Sequence, residues 1–342
     1  GGLRADPPAH RAALAACALG GDWQRALLVF EAATAEQPAD ARTYTALVHA
    51  LVEGGQHGRA LEVVQAMRRG GGEARPNRIT LNLALRACAA LEDGTKALEI
   101  YHLMQELGVE PDAKSYAALI AAVGANGDVQ PAMRCFAWMT ARKIPPDTHT
   151  MAAVLTACAR GGEWQTALAF FKDMQAQGLQ QNVYTYTAVI RACNRGGQWE
   201  QAMALLQEMK AMGIKPSVVT YNALVAVVGK AGMWELGLTL YEELCANSIQ
   251  PDVVTFNGLI TSCGKAWKWA KAVEVFEMMK ARSVPPNAFT YTTLIRACQE
   301  GGQWKRAGEL FNEACAGGLD MDRSMTQRAR RGRGASGWGW DG

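Results

Sequence analysis

Apolar residues return at i, i+3, i+4 and i+7 in short runs along this chain, and the runs come in pairs. Over 183–217 the first run is Tyr186, Val189, Ile190 and Cys193. Gly196-Gly197 interrupts it, and a second run passes through Trp199, Ala202, Met203, Leu206 and Met209 until Gly213 and Pro216 end it. That spacing is one face of an α-helix, and the Gly and Pro positions mark where each helix stops. The pair recurs over 253–287, with Phe256, Leu259, Ile260 and Cys263 in the first stripe and Trp269 opening the second. A Gly-Gly-x-Trp block marks the joint between the two helices at 20–23, 161–164, 196–199 and 301–304.

The period is 35 residues. Counting each unit from the residue after a Pro-x pair gives nine: 7–40, 41–77, 78–112, 113–147, 148–182, 183–217, 218–252, 253–287 and 288–322. The first is one residue short, and the second carries two extra residues in the Gly70-Gly71-Gly72 loop. One helical hairpin cannot bury its own apolar face, but stacked copies can. The predicted fold is therefore all-α, a right-handed superhelical solenoid of about nine helix-turn-helix repeats over 7–322, with the first helix of each lining the concave side. Residues 1–6 are a residual N-terminal segment. Residues 323–342 are an Arg/Gly-rich tail expected to be disordered.

Composition sharpens this picture. A hydrophobic content of 49% is ample for a continuous core. No run approaches the roughly 18 apolar residues of a membrane helix, so no membrane partner is expected. Nine cysteines is an odd number, with no C-x-x-C pair and no zinc spacing. Cys17, Cys88, Cys158, Cys193, Cys263 and Cys298 share one position of the unit and read as small buried apolar groups; no metal or cofactor is expected. Trp23, Trp164, Trp199, Trp234, Trp269 and Trp304 open the second stripe and read as packing groups rather than platforms for bases. Five arginines against one aspartate put +4 in the tail 323–342, which leaves the body 1–322 at −1 of the total +3. A phosphate-binding surface would have to be sorted onto one face. The chain opens on Gly1 rather than Met, and the expectation is that a natural N-terminus lies upstream, with any targeting peptide.

Positions 2, 5, 9 and 13 of each unit form a stripe offset from the core stripe of the first helix. Arg160, Arg195, Lys230 and Lys265 stand at position 13 of four successive units. Flat or branched groups stand at position 2, and small polar groups at position 5. Cations for phosphates, flat surfaces for bases and amides for base edges together suit a single-stranded nucleic acid.

The runs Val218-Val219-Thr220-Tyr221-Asn222-Ala223-Leu224, Tyr241-Glu242-Glu243-Leu244 and Pro251-Asp252, with their counterparts in 78–112, 183–217, 253–287 and 288–322, resemble the pentatricopeptide repeat family. The likeness spans about 7–322. It implies a binder of single-stranded RNA that reads one base per repeat, acting in an organelle, the chloroplast ahead of the mitochondrion, in RNA processing, stability or translation. Protein partners in RNA processing are a further expectation. In that family position 5 and the last residue of a unit select the base, position 2 wedges it and a cation near position 13 meets phosphate. The wedges would be Ile79, His149, Tyr184, Val219, Val254 and Phe289; the phosphate contacts would be Arg160, Arg195, Lys230 and Lys265.

A last-residue Asp can only accept a hydrogen bond and suits U or G, whereas Asn can also donate and suits A or C. By the resemblance, Asn at position 5 favours pyrimidines, and Thr or Ser favours purines. From the 5′ end, Thr45/Asn77 implies A, Asn82/Asp112 U, Ala117/Asp147 U or G, Ala152/Asn182 A or C, and Thr187/Ser217 a purine. Asn222/Asp252 then implies U, Asn257/Asn287 C or U, and Thr292/Asp322 G. Some units depart from the pattern. Arg11 with Asp40 fits no familiar pair, Ala117 and Ala152 lack a position-5 hydrogen bond, and Glu300 stands where the cation ladder would continue.

An enzyme is a second class. A zinc deaminase needs H-x-E with P-C-x-x-C, and a phosphate-binding loop or nucleophile elbow has its own glycine pattern; none occurs in this sequence. The chain is expected to be no enzyme and to take no small-molecule substrate. A helical protein-interaction scaffold is the alternative, which the cation ladder and the recurrent Asn/Thr with Asp/Asn pairs disfavour.

Overall fold

A computed structural model describes residues 7–36, 39–70 and 72–319. The expectations placed on 1–6, on Asp322 and on 323–342 lie outside the described residues. Among the described residues, eighteen α-helices alternate in two roles, with one short 3-10 turn at Gly72–Ala74. The first, or A, helices are α1 (Pro7–Gly20), α3 (Ala41–Glu53), α5 (Arg78–Ala90), α7 (Ala113–Val123), α9 (Thr148–Gly161), α11 (Val183–Gly196), α13 (Val218–Lys230), α15 (Val253–Lys265) and α17 (Ala288–Glu300). The second, or B, helices are α2 (Trp23–Glu36), α4 (His57–Gly70), α6 (Gly94–Glu106), α8 (Val129–Ala141), α10 (Trp164–Ala176), α12 (Trp199–Ala211), α14 (Trp234–Ala246), α16 (Trp269–Ala281) and α18 (Trp304–Ala316). The fold is thus a helical-repeat solenoid of nine hairpins, with no strand among the described residues.

The chain divides between Gln181 and Asn182 into two compact units. In the first, α1, α3, α5, α7 and α9 pack in a row, each against the next. In the second, α11, α13, α15 and α17 do the same. Each B helix packs on its own A helix and, within a unit, on the next A helix, while the backbones of successive B helices stay farther apart than those of successive A helices and meet only through side chains, such as the Phe136–Phe170 and Tyr101–Trp138 ring pairs. A row of closely spaced A helices backed by B helices spaced farther apart is shorter on the A side, so the A helices form the inner side of each unit's curve.

The core follows the first stripe closely. Tyr186, Val189, Ile190 and Cys193 are fully buried, as are Phe256, Leu259 and Ile260. Each large aliphatic or aromatic group buried this way is worth about 1.5–3 kcal/mol. The second stripe differs from expectation in one respect. Met203 is only half-buried and Leu205 joins Leu206 and Met209 in the core. A B helix touches two A helices, its own and the next, so its buried sector is wider than one stripe.

Burial pushes the thiol of Cys88 up to about 12 and those of Cys158, Cys193, Cys263 and Cys298 to about 11. These groups stay protonated and behave as apolar side chains. Cys17, expected among them, is only partly buried, on a helix that follows no other described helix.

The Gly-Gly-x-Trp joint has a packing reason. A Cβ on Gly54 would come within 2.8 Å of the Trp23 Cβ, and one on Gly301 would collide with the Trp269 ring. Trp23 and Trp269, each opening a B helix, therefore close over the first glycine of the next repeat's joint. The second glycine turns the chain through the left-handed region, with φ of 72° at both Gly55 and Gly302, where a side chain is strained. We expect Gly301→Ala to destabilise the protein by about 1–3 kcal/mol, the usual cost of overpacking. Gly308→Ala, inside α18 with open space around it, should instead stabilise by up to about 1 kcal/mol. Denaturant melts of the two variants check both signs.

Candidate nucleic-acid interface

The site starts at the joint between repeats. From α3 on, the residue just before each A helix is the last residue of the preceding repeat, and it is the helix N-cap: Asp40, Asn77, Asp112, Asp147, Asn182, Ser217, Asp252 and Asn287. Its side-chain oxygen accepts the backbone N–H three residues on, at 2.8 Å from Thr43, 2.9 Å from Ser115, 2.8 Å from Thr255 and 2.9 Å from Thr290. An A helix leaves its first N–H groups without internal partners, and Asp, Asn or Ser is what satisfies them best. The recurrence of these residues at the end of the unit therefore has a structural cause besides any base selection. Capping takes one side-chain oxygen and leaves the other polar atom of Asp or Asn available.

The next feature was not foreseen. Position 3 carries a hydroxyl in every repeat from the second on: Thr43, Thr80, Ser115, Thr150, Thr185, Thr220, Thr255 and Thr290. All are buried, and Thr80, Thr150, Thr185, Thr220, Thr255 and Thr290 are fully so. Their 35-residue recurrence was a visible signal. A Thr near a helix start is commonplace, however, and the recurrence does not by itself mark a role.

Position 5 meets this pair from the preceding A helix. The Asn82 amide donates to Asp112 at 3.2 Å and accepts from the Ser115 hydroxyl at 2.6 Å. Asn222 donates to both Asp252 oxygens, at 3.0 and 3.1 Å, and accepts from Thr255 at 2.6 Å. Asn257 accepts from Thr290 at 2.7 Å, beside the capping Asn287. Thr45 and Thr187 lie 2.7 and 2.8 Å from the hydroxyls of Thr80 and Thr220. Thr45 also takes a long 3.4 Å bond from the Asn77 amide. Ala117, facing the Asp147 cap, brings no polar atom, and Thr150 there donates to Asp147 itself at 2.6 Å. Ala152 is half-buried on α9, and Thr292 is half-buried on α17. The odd first pair is closed by an ion pair, with Arg11 donating to Asp40 at 3.0 Å.

Two of the capping carboxylates are held ionised. At Asp112 burial raises the pKa but is outweighed by the N–H and hydroxyl of Ser115, the Asn82 amide and Arg78, so the net shift is down. At Asp40 the Thr43 hydroxyl is the main cause of a lowered value.

Position 2 faces solvent. Ile79, Tyr184, Val219, Val254 and Phe289 are 51–77% exposed, although all are large and apolar. The His149 side chain is also exposed, 4.0 Å from the Asp147 carboxylate. Position 2 lies one helical turn before position 5 on the same face. Asn222 with Asp252 therefore sits between Val219, on its own helix, and Val254, two residues beyond the cap. Asn257 with Asn287 sits between Val254 and Phe289. A cavity of about 340 Å³ opens beside Asn77 and Ile79.

The position-13 cations stand at or next to the C-terminal turns of their A helices. Arg160 donates to the Ala125 carbonyl at 2.9 Å and pairs with Glu92 at 2.7 Å. Lys230 donates to the Asn194 carbonyl at 3.0 Å. These carbonyls lie at the end of the preceding repeat's A helix or just past it, where a cation is electrostatically favoured. Arg195 and Lys265 lie exposed in the last turns of α11 and α15. Glu300 takes the same place on α17, within 3.9 Å of Arg296. The row thus has a structural share as well as a surface one. No group of three or more His, Cys, Asp or Glu side chains placed to hold a metal occurs among the described residues.

This architecture has known counterparts. Family models match nearly the whole described chain: the pentacotripeptide-repeat region of PRORP over 6–170, the pentatricopeptide repeat domain over 169–231, the PPR repeat family over 216–265 and 251–300, and the PPR repeat over 289–319. The chain belongs to the pentatricopeptide repeat family. No curated protein matches it closely enough to count as a relative. Among solved structures, the pentatricopeptide repeat protein PPR10 from maize superposes with a TM-score of 0.65 at 22% identity, over 96% of this chain and 53% of that one. PPR10 in complex with an 18-nt psaJ RNA element gives 0.61 at 23% identity, over 91% and 50%. The chain therefore spans about half the length of PPR10. At this identity the likeness is one of fold.

The cap assignment makes a stability prediction. Asp252→Ala removes the oxygen that caps α15 and should cost about 1 kcal/mol. Asp252→Asn keeps a capping oxygen and should stay within about 0.5 kcal/mol of the parent. Thermal melts of the two variants separate them.

Proposed function

We propose that this chain binds single-stranded RNA along the inner side of its A helices, one base to each repeat. The observation that carries the reading is the repetition of one constellation: an exposed apolar group at position 2, a hydrogen-bonded polar pair from position 5 and the cap, and the next repeat's apolar group beyond. A base lying over the polar pair would be flanked by two apolar side chains, and stacking of that kind is worth about 1–3 kcal/mol per base. The RNA held by PPR10 supports the class of ligand. The site of action is an organelle, a chloroplast ahead of a mitochondrion, with RNA processing, stability or translation as the outcome. In this reading the chain binds and does not catalyse.

The closing bases follow as U at Asn222/Asp252, C or U at Asn257/Asn287, and G at Thr292/Asp322. Asp252→Asn should move its repeat from U toward C, because an amide that can donate replaces an obligate acceptor. The shift should be about 1 kcal/mol, at the low end of what one good base-edge contact is worth. Binding to RNAs differing only at that base decides the matter; identical ranking of U and C by parent and variant rejects one base per repeat.

Arg160, Arg195, Lys230 and Lys265 are proposed to meet phosphates. At Arg160 a phosphate competes with the Glu92 carboxylate. Changing all four to Gln keeps an N–H donor for the Ala125 and Asn194 carbonyls, so the fold should persist. The salt dependence should flatten by about 0.7 log units of slope for each lost contact. A titration from low to high salt measures it, and an unchanged slope removes these residues from the interface.

A further inference from the structure

We infer that the position-3 hydroxyl is a positioning residue for specificity: it sets the hydrogen-bond polarity that the preceding repeat's position-5 side chain presents to a base. This rests on the RNA-reading function proposed above and names the group through which that reading is tuned.

A hydroxyl has one proton, and the structure decides where it goes. Thr290 Oγ1 lies 2.7 Å from Asn257 Oδ1 and 2.9 Å from Asn287 Oδ1. The Asn287 oxygen already accepts the Thr290 backbone N–H at 2.9 Å. The Thr290 oxygen itself accepts the Asn287 N–H at 3.2 Å. The hydroxyl proton is thus directed at Asn257, whose carbonyl is pinned inward. Its NH2 group must point the other way, toward the cap and the open face.

Thr at position 5 receives the same donor with the opposite result. Thr45 and Thr187 give their own protons to the carbonyls of Ala41 and Val183, each at 2.6 Å, the usual back-bond of a helical hydroxyl. Their oxygens then accept from Thr80 and Thr220. Thr187 then has no proton left, only a lone pair; at Thr45 that lone pair takes the long 3.4 Å bond from the Asn77 amide. Asn at position 5 therefore offers donors and Thr offers an acceptor, and one buried hydroxyl behind them enforces both. The purine-versus-pyrimidine split acquires a physical cause that composition at position 5 cannot supply alone.

Repeats differ in how far they depend on this group. At Asn222 the Asp252 carboxylate also holds the amide, because a flipped amide would set oxygen against oxygen where N–H bonds of 3.0 and 3.1 Å now stand. At Asn257 the cap is the amide Asn287, with no carboxylate to do so. Thr290 carries more of the task there than Thr255 does at Asn222.

The test uses the full chain and RNAs that differ only at the base facing the Asn257 repeat. Thr290→Val should lower the C-over-A binding ratio about fivefold, the size of one ordinary hydrogen bond, and Thr290→Ser should restore it. In an Asn257→Ala background the Val change should leave the ratio where it is, since the hydroxyl acts only through that amide. Thr255→Val, read as U over G at the Asn222 repeat, should lose less, and it gives a second reading if Thr290→Val melts. An unchanged ratio in Thr290→Val, a failure of Ser to rescue it, or an equal further loss in the Asn257→Ala background overturns the inference. A parent protein with no preference at that base overturns one-base-per-repeat reading itself, a different outcome from the loss of Thr290 control.

Discussion

The structure turns on the hydrogen bond between the last side chain of one repeat and the third backbone N–H of the next. It satisfies a donor that an A helix cannot satisfy internally. It also fixes where that helix begins, so position 2 projects outward, position 3 turns into the joint and position 5 of the preceding helix comes to rest on the cap. Asn222, Asp252 and Thr255 form one network for this reason. A buried polar network of this type is rigid only when every member is satisfied. Ser115 and Thr255 each lie between a cap and an amide.

The cap restricts the chemistry available for recognition. Asp, Asn and Ser are the last residues of these repeats because each offers an oxygen to the helix start, and the choice among them then sets what is left over. Asp keeps a second acceptor and Asn keeps a donor. In the proposed reading, selectivity and helix initiation fall to the same side chain, and exchanging Asp for Asn changes the first while keeping the second. Position 5 has no capping duty and can even be alanine, as at Ala117 and Ala152, without disturbing the fold.

The cations and glycines show a similar sharing of tasks. Arg160 and Lys230 lie on the offset stripe, yet each ties its repeat to a carbonyl of the one before. The glycine pairs turn the chain between A and B helices, and Gly54 and Gly301 also make room for a tryptophan from the preceding repeat. In an array, each repeat must satisfy its neighbour as well as itself.

The all-helical fold, the 35-residue period, the core stripe Tyr186–Val189–Ile190–Cys193 and the off-core place of position 2 were legible in the sequence, because helical periodicity and glycine breaks are local properties of the chain. The cap role of Asp252 and its equivalents was within reach too, since an Asx residue before an apolar run is a helix-start signal. Tertiary contact alone decided the rest. That Leu205 rather than Met203 enters the core depends on a second A helix touching α12. That Arg160 engages the Glu92 carboxylate and the Ala125 carbonyl depends on groups 68 and 35 residues away. That the Thr290 proton goes to Asn257 depends on two helices whose sequences are 33 residues apart. A sequence names the donors and acceptors, but the partner each one takes is set by the stacking of one repeat on the next.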